Sequence, residues 1–437
     1  MEVSDAMAVG GDDGVGECAG LWIDREILKT SGFLEFLRQH EIDLLHLIPP
    51  AAQSEQGEQR FVRLKRAADA NDEASQLERV KQSLVDAGFP DVAPVPASWV
   101  PGFYSLPASV PLSRLTAYKN GLMYGIDISS GYAVTLLHIQ QGEHVLDLCC
   151  APGAKLTMMA DLLEMNGSVT GVDYSRSRIA ACKQLIHKYQ LIRQPCDSAE
   201  TSSAWRCRLF HADGRTFNVG PKTECARVEG IETILDTNAI ATRSVQGQKR
   251  KRENKSARAR EAKQPKVWNF DAALFDKVLV DAECTHDGSI KHLQKMKTLE
   301  EWTKYVDEHL NDKELDRILQ LQKDLIRNGF KMLKPGGTMI YSTCSLSVKQ
   351  NEHIVEAFLR DHPTASLIPV VTTDIPCESG RIPGTLRFTP SNNTSGLFIA
   401  KISKSKKNDD VPLEEVKADP VVDEPDAKKP RDKIKAT

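Results

Sequence analysis

Residues His144–Lys155 read HVLDLCCAPGAK: an apolar run ends on Asp147, and the chain turns through Pro152 and Gly153 straight into a helical pattern, LTMMADLLE. A strand that feeds a helix through a tight turn of small residues begins a βαβ unit. Working outward, the alternation continues through SVTGVDY, SRIAACKQLIHKYQ, RCRLFHAD, DKVLVDA, ELDRILQLQKDLIRNGFKML, TMIYSTC, QNEHIVEAFLRDH and GLFIAKIS. Apolar runs alternating with amphipathic helices predict an α/β fold, a mostly parallel sheet with helices on both faces. In such sheets ligands bind beyond the carboxyl ends of the strands, where helix N-termini and loop amides face a crevice. Function is therefore to be sought at the strand tips.

At the first tip, the small residues Cys149, Cys150, Ala151, Pro152, Gly153 and Ala154, followed by Lys155, let backbone N–H groups approach a ligand closely. The helix that starts there favours a carboxylate. The second strand ends in Asp173, placed to accept hydrogen bonds from two ribose hydroxyls, and the third in Asp213, placed to meet an adenine edge. With one glycine in CCAPGAK there is no room for a pyrophosphate, so the pattern departs from the glycine-rich turn of dinucleotide folds. An adenosyl ligand with a carboxylate, S-adenosylmethionine, fits better.

The fourth and fifth tips lie in FDKVLVDAECTHDGS, from Phe275, and GGTMIYSTCSLS, from Gly336, which set Asp281, Cys284 and Cys344 beside the sulfonium of such a donor. Methylating carbon 5 of a cytosine needs these groups. That carbon is not nucleophilic in the aromatic base: a thiolate must first add to carbon 6, and an acid must stabilise the charge developing around ring nitrogen 3 and the exocyclic amine. A base then removes the carbon-5 proton and the enzyme is eliminated. A lone free cysteine reads as a small buried hydrophobe. Two at neighbouring strand ends, in D-x-x-C and S-T-C-S, point to chemistry, although chemistry alone does not rank the two thiols.

The 437 residues suffice for more than one domain and a sizeable core. A hydrophobic share of 41% and a charged share of 27% are those of a globular protein. No apolar run approaches the ~20 residues that span a bilayer, so no membrane association is expected. The acidic, Gly-rich N-terminus resembles neither a signal nor a transit peptide, which predicts a nuclear and/or cytoplasmic address. Ten irregularly spaced cysteines without a CxxC pair suit neither a disulfide framework nor a zinc site, and no metal is expected. Residues 1–20 are read as disordered and 21–110 as a small α+β, RNA-binding region containing DREILKTSGFLEFLRQH, QRFVRLKR and QLERVKQSLVDAG. The catalytic domain spans 111–404, with 214–269 read as a disordered basic insertion, and 405–437 is a charged, disordered tail.

These residues resemble the Sun-type (Nop/Sun) RNA 5-methylcytosine methyltransferases over most of the chain, from about Arg60 to Lys404. The likeness runs through FVRLK, WVPGFYSL, GIDISS, DLCCAPGAK, GVDYSRSR, HADG, DAECT, LKPGGTMIYSTCSLSVKQNE and GLFIAKI, and YSTCS followed by NE is its most specific element. The resemblance implies a Rossmann-like S-adenosylmethionine-dependent methyltransferase fold, Cys344 as nucleophile, Cys284 assisting breakdown of the adduct and Asp281 holding the cytosine. It also implies cofactor contacts from Cys149–Lys155, Asp173, Asp213 and Asp281, and an RNA substrate, tRNA favoured over rRNA, bound by a monomer. The family pattern D-x-P-C-S/T-G is here DAECTH: Glu283 replaces a loop-shaping proline, His286 a glycine, and Ala154 a frequent glycine. Loss of the proline predicts a looser loop around Cys284, with a free Glu283 carboxylate facing RNA phosphates.

The rival reading is a catalytically silent RNA-binding member of the same family. A methyltransferase for protein or small molecules has no need of the paired cysteines. Between Arg243 and Lys266 stand ten Lys or Arg and two Glu, and this run has three open roles: phosphate contacts, nuclear import, or simple solvation. If it contacts RNA, deleting Gln248–Lys263 flattens the salt dependence of RNA affinity. An identical slope leaves import or no role, and imaging a tagged deletion separates those two.

Overall fold

A computed structural model of the protein describes residues 25–48, 59–66, 70–192, 205–223, 229–238 and 274–406. The first twenty residues, the basic run from Arg243 to Lys266 and the tail beyond Lys406 lie outside the described residues. In chain order the helices are α1 (Arg25–Thr30), α2 (Phe33–Gln39), α3 (Ala70–Asp86), α4 (Thr116–Lys119), α5 (Ile128–Thr135), α6 (Ala154–Leu162), α7 (Arg176–Lys188), α8 (Ile290–Leu293), α9 (Leu299–His309), α10 (Asp312–Met332) and α11 (Glu352–Asp361). No described helix is long and apolar enough to cross a membrane.

The strands form two sheets. The smaller is antiparallel, in the order β2 (Val95–Pro96), β3 (Phe103–Pro107), β1 (Gln59–Leu64) and β4 (Met123–Gly125). The larger has a parallel centre of five strands, β10 (Leu333–Thr343), β9 (Phe275–Asp281), β5 (His144–Asp147), β6 (Ser168–Asp173) and β7 (Arg206–His211), in that spatial order. Antiparallel strands extend both edges: β8 (Glu232–Asp236) beside β7, and β14 (Leu397–Lys404) beside β10. Short β11 (Ala365–Leu367) and β13 (Leu386–Phe388) pair with β14, and β12 (Glu378–Ser379) with β13. The sheet is thus parallel where sequence alternation implies it and antiparallel at its margins, where chain direction leaves no trace in composition.

The central strands are apolar throughout because both of their faces are covered. Along β9, Val278 and Val280 pack on one face with Leu325, Ile326 and Phe330 of α10, while Leu279 faces the opposite cluster with Leu156 and Met159 of α6. α10 presents its apolar residues at helical spacing and approaches the sheet through Gly329, where a Cβ would stand 2.5 Å from Val280. Order reverses around β5, whose neighbours are β6 on one side and β9 on the other, so the crevice beyond its carboxyl end is the topological switch point.

Two domain boundaries differ from the sequence reading. Residues 25–48 do not join the small sheet: Leu28, Phe33, Phe36 and Leu37 pack against Trp302 and Tyr305 of α9 and against Leu346, with Phe33 and Trp302 rings 5.0 Å apart. The small sheet runs past residue 110 to β4 and packs Val62, Leu64, Tyr104 and Leu106 on Val80 and Leu84 of α3. The insertion read as 214–269 also begins too early. Phe217, Val219 and Leu235 are buried, Asn328 donates to the carbonyls of Gly214 (2.7 Å) and Phe217 (2.9 Å), and Arg206 pairs with Asp236 at 2.7 Å across β7 and β8. Three apolar anchors in a polar stretch are invisible to an averaged composition.

Two contacts seat the small sheet on the large domain. The Phe103 ring occupies the space a side chain at Gly131 of α5 would need, a Cβ there lying 2.0 Å from it. Buried Arg63 of β1 donates to Asp161 of α6 at 2.6 Å, and the same carboxylate oxygen accepts from the Arg66 amide at 3.0 Å. Arg63→Ala strands a buried carboxylate, so we expect a loss of ~3–5 kcal/mol in chemical denaturation. Arg63→Met combined with Asp161→Leu, which leaves no buried charge, is expected to lose less. A single variant as stable as the parent would show that this pair does not hold the domains together.

Candidate active site

The carboxyl ends of the five parallel strands meet at a cleft of about 510 Å³. After β5, the turn is built by its own backbone. Asp147 accepts from the Cys149 amide at 3.3 Å, and Asp173 at the end of β6 accepts from the Ala151 amide at 3.1 Å and the Ser175 amide at 2.8 Å. Asp173 thus ties the first turn to the start of α7, and Arg178 of α7 closes the frame by donating to the Ala151 carbonyl at 2.6 Å.

Of the cofactor positions expected from sequence, Cys149, Ala151, Asp173, Asp213 and Asp281 border the cleft. Cys150 does not: it is buried, with its sulfur 3.9 Å from that of Cys182. Gly153 holds a left-handed φ of 111° with its Cα side against Cys182, Ala154 packs on the core and Pro152 is exposed, so these three shape the turn. Lys155 reaches the cleft through Asp281, its Nζ donating to Oδ2 at 2.7 Å, while Ser342 donates to Oδ1 at 2.7 Å.

The expected thiols come together. Cys284 and Cys344 sulfurs lie 3.3 Å apart, and His286 Nδ1 stands 2.9 Å from Cys344 Sγ and 3.8 Å from Cys284 Sγ. Around Cys344, Asn351 accepts from the Thr343 hydroxyl at 2.6 Å and donates to the Ser345 carbonyl at 2.9 Å, while Glu352 holds Arg387 at 2.6 Å. This is the physical content of the NE pair that follows YSTCS.

The loop carrying Cys284 is not loosened by its missing proline. Gln322 donates to the Glu283 carbonyl at 2.9 Å, Gln350 accepts from the Thr285 amide at 3.2 Å, Tyr305 donates to the Thr285 carbonyl at 2.7 Å, and Asp287 accepts from the Leu346 amide at 2.7 Å. Nor is Glu283 a free charge, since Arg317 of α10 pairs with it at 2.6 Å. Distant glutamines and a tyrosine do the work of the proline, which no local pattern announces.

Burial first, and the neighbouring Asp281 carboxylate next, push the buried Asp147 carboxyl up to about 8. Burial opposes the Lys155 charge, but Asp281 more than offsets it and the ammonium is held above its ordinary value. Hydrogen bonds from Arg215 keep the Asp213 carboxyl low. The Cys284 thiol is pulled down to about 5, chiefly by its hydrogen bond with Cys344, against burial and with help from His286. The Cys284 charge pushes His286 up to about 9, while the bond to Cys284 and burial hold Cys344 well above a normal thiol. The shared hydrogen bond favours the thiolate at Cys284 and the thiol at Cys344, while the imidazole stands nearer Cys344. Either sulfur can donate across the 3.3 Å gap, so transfer of one proton exchanges thiol and thiolate.

Against the expectation of no metal-ligand cluster, these two sulfurs and the imidazole nitrogen lie within 4.8 Å of one another. Their 2.9 and 3.3 Å contacts are closer than the ~3.8 Å between sulfurs around a tetrahedral zinc with bonds of about 2.3 Å, and match direct proton sharing.

The remaining cleft residues fit an adenosyl group. Asp173 and Asp213 offer acceptors for hydroxyl and amine hydrogens, and Leu148, Leu321 and Leu325 supply an apolar wall. Sequence reasoning passed over Tyr174, 76% exposed beside Asp173, and Arg178, both lining the cleft. Their signal was position alone, in the turn that follows an acid-tipped strand.

A profile of the 16S rRNA methyltransferase RsmB/F family matches residues 134–205 and 230–403, more than half of the chain. Ribosomal RNA small subunit methyltransferase B of Enterobacter sp. (strain 638) is 25% identical over 304 residues, 70% of this chain and 52% of that protein. Its namesake in Yersinia pseudotuberculosis serotype O:1b (strain IP 31758) is 25% identical over 293 residues, 67% of this chain and 49% of the relative. The chain spans about half the length of these curated relatives. Among solved structures, a methyltransferase homolog protein from Pyrococcus horikoshii matches with a TM-score of 0.50 at 21% identity, covering 87% of this chain and 100% of that one. NSun6 from the same organism, solved with SFG, matches with a TM-score of 0.54 at 16% identity over 88% and 98%. These likenesses establish the fold as the Rossmann-like one of S-adenosylmethionine-dependent methyltransferases. The chain belongs to the 16S rRNA methyltransferase RsmB/F family, of Sun type.

Proposed function

We propose that this protein methylates carbon 5 of a cytosine in RNA, through a transient bond between Cys344 and carbon 6. The observation that carries the reading is the pair of sulfurs 3.3 Å apart, on neighbouring strand tips, in a cleft that also holds Asp281. Bound S-adenosylmethionine supplies an electrophilic methyl group. Asp173, Asp213, Cys149 and Ala151 are the residues that would hold it.

Asp281, held in place by Lys155 and Ser342, retains lone pairs to accept from the exocyclic amine of the base. The Cys344 proton passes to Cys284, and the Cys344 lone pair forms the bond to carbon 6. After carbon 5 has been alkylated, its proton leaves to a base, the electrons restore the carbon 5–carbon 6 double bond, and the carbon–sulfur bond breaks. The electron pair returns to Cys344, which recovers the proton from Cys284. One proton is released in all, and Cys284 is the acid that speeds release.

The relatives are ribosomal RNA methyltransferases by name, which favours a ribosomal substrate over the tRNA expected from sequence. Bisulfite sequencing of RNA from cells with and without the protein identifies the nucleotide.

Cys344→Ala is expected to abolish methylation and any covalent enzyme–RNA species. Cys284→Ala is expected to attack and methylate, yet accumulate a slow-migrating complex on a denaturing gel. The reverse pattern exchanges the two roles. If both variants turn over normally, the thiols are structural and the covalent mechanism falls; if the parent neither methylates nor traps RNA, the catalytically silent reading replaces this one. For the cofactor, Asp173→Ala is expected to weaken S-adenosylmethionine binding by ~1–3 kcal/mol in calorimetry and also to lower the melting temperature, because the carboxylate binds two backbone amides. A lower melting temperature with unchanged affinity would reduce Asp173 to a capping residue.

A further inference from the structure

We infer that His286 is a positioning residue for this reaction: its imidazolium fixes the sulfur of Cys344 and stabilises the negative charge there when that thiol becomes the nucleophile. The inference rests on the reading of Cys344 as the attacking group. It assigns a chemical purpose to a position where the family pattern has glycine.

The backbone explains why glycine suits the position. His286 has a φ of 59°, a left-handed conformation that L residues adopt at a cost. That conformation is held from both sides. The Thr285 carbonyl is fixed by Tyr305 at 2.7 Å, the Gly288 amide donates to the Cys344 carbonyl at 3.0 Å, and the Ser289 amide donates to the His286 carbonyl at 3.0 Å. With its backbone pinned, the imidazole lies 2.9 Å from Cys344 Sγ and borders the cleft. A strained residue whose side chain touches a reacting atom is the pattern of a functional constraint.

The groups around the ring make it a cation. Cys284 and Asp287 on its own loop favour the charge, burial and Arg178 from α7 oppose it, Cys344 from the tip of β10 lies 2.9 Å away, and the His292 ring of α8 lies tilted at 5.2 Å, with Tyr305 of α9 behind it. Burial and then the His286 cation push His292 down to about 4, so it stays neutral beside that cation. In the resting site the imidazolium N–H donates to Cys344 Sγ, and the Cys344 S–H donates to the Cys284 thiolate. When that proton crosses to Cys284, the charge appears on Cys344 with an N–H⁺ already 2.9 Å away. His286 keeps its proton throughout, and on release the proton returns from Cys284 to Cys344.

The test compares the full-length parent with His286→Gly, which suits the left-handed backbone, and with His286→Asn, which tolerates it and does not titrate. The first measurement needs no RNA: the rate of iodoacetamide alkylation of Cys284 and Cys344 against pH, read by peptide mass. The parent should titrate near pH 5, where the Cys284 value lies, and both variants, which keep the bond to Cys344 and lose the imidazole, should move upward by about one pH unit or more. The second is covalent trapping on RNA containing 5-fluorocytidine, which should slow about tenfold or more at pH 6 in the variants and recover as the pH is raised to 9. Superimposable alkylation profiles overturn the inference, as does a trapping defect that high pH does not recover, because a purely structural loss has no such dependence. A parent that shows the alkylation shift but never traps RNA overturns the methylation reading and the catalytic part of the inference with it. A parent that traps RNA while the profiles coincide leaves methylation standing and removes His286 alone.

Discussion

The parallel register of β9 and β10, which sets Ser342 opposite Asp281, is the constraint on which the site depends. It lets the Ser342 hydroxyl reach the Asp281 carboxylate at 2.7 Å and carries the pairing past both strand ends, through the Ala282 amide on the Ser342 carbonyl (2.9 Å) and the Gly288 amide on the Cys344 carbonyl (3.0 Å). Two loops from separate strands thereby run side by side and bring their sulfurs into contact. A slip of one residue would turn every side chain of one strand to the opposite face and separate the thiols. α1, α2 and α9 back this arrangement from behind: Leu346 belongs to their apolar cluster, and His40 lies 2.9 Å from the Ser347 hydroxyl.

Gathering Asp147, Asp173 and Asp281 at one cleft would be costly if all three were bare charges. Each is relieved differently. Burial pushes the Asp147 carboxyl up to about 8; Asp173 binds backbone amides; Asp281 is matched by Lys155. Glu283 is likewise neutralised by Arg317. The arrangement leaves acceptors available for a nucleoside while limiting the negative field that an RNA phosphate would meet.

The parallel centre of the sheet was legible because burial on both faces makes strands such as β9 continuously apolar, and an acid at or just beyond four of the five tips marked their ends. The two cysteines were legible through their place after those tips. What stayed hidden depends on contacts between distant segments: the antiparallel edge strand β8 in a polar stretch, the packing of α1 and α2 on α9, and the loop bonds from Gln322, Gln350 and Tyr305. His286 illustrates the difference. In the sequence it was a lost glycine; in the fold it is an imidazole in contact with the thiol to which the attack is assigned.

The central claim is that Cys344, and not its neighbour, bonds to the base. The most direct measurement is to trap the parent protein on RNA containing 5-fluorocytidine, digest both components and locate the nucleotide adduct by tandem mass spectrometry. The account predicts the adduct on the peptide that contains Cys344, with Cys284 recovered as an unmodified thiol. An adduct on Cys284 would contradict it.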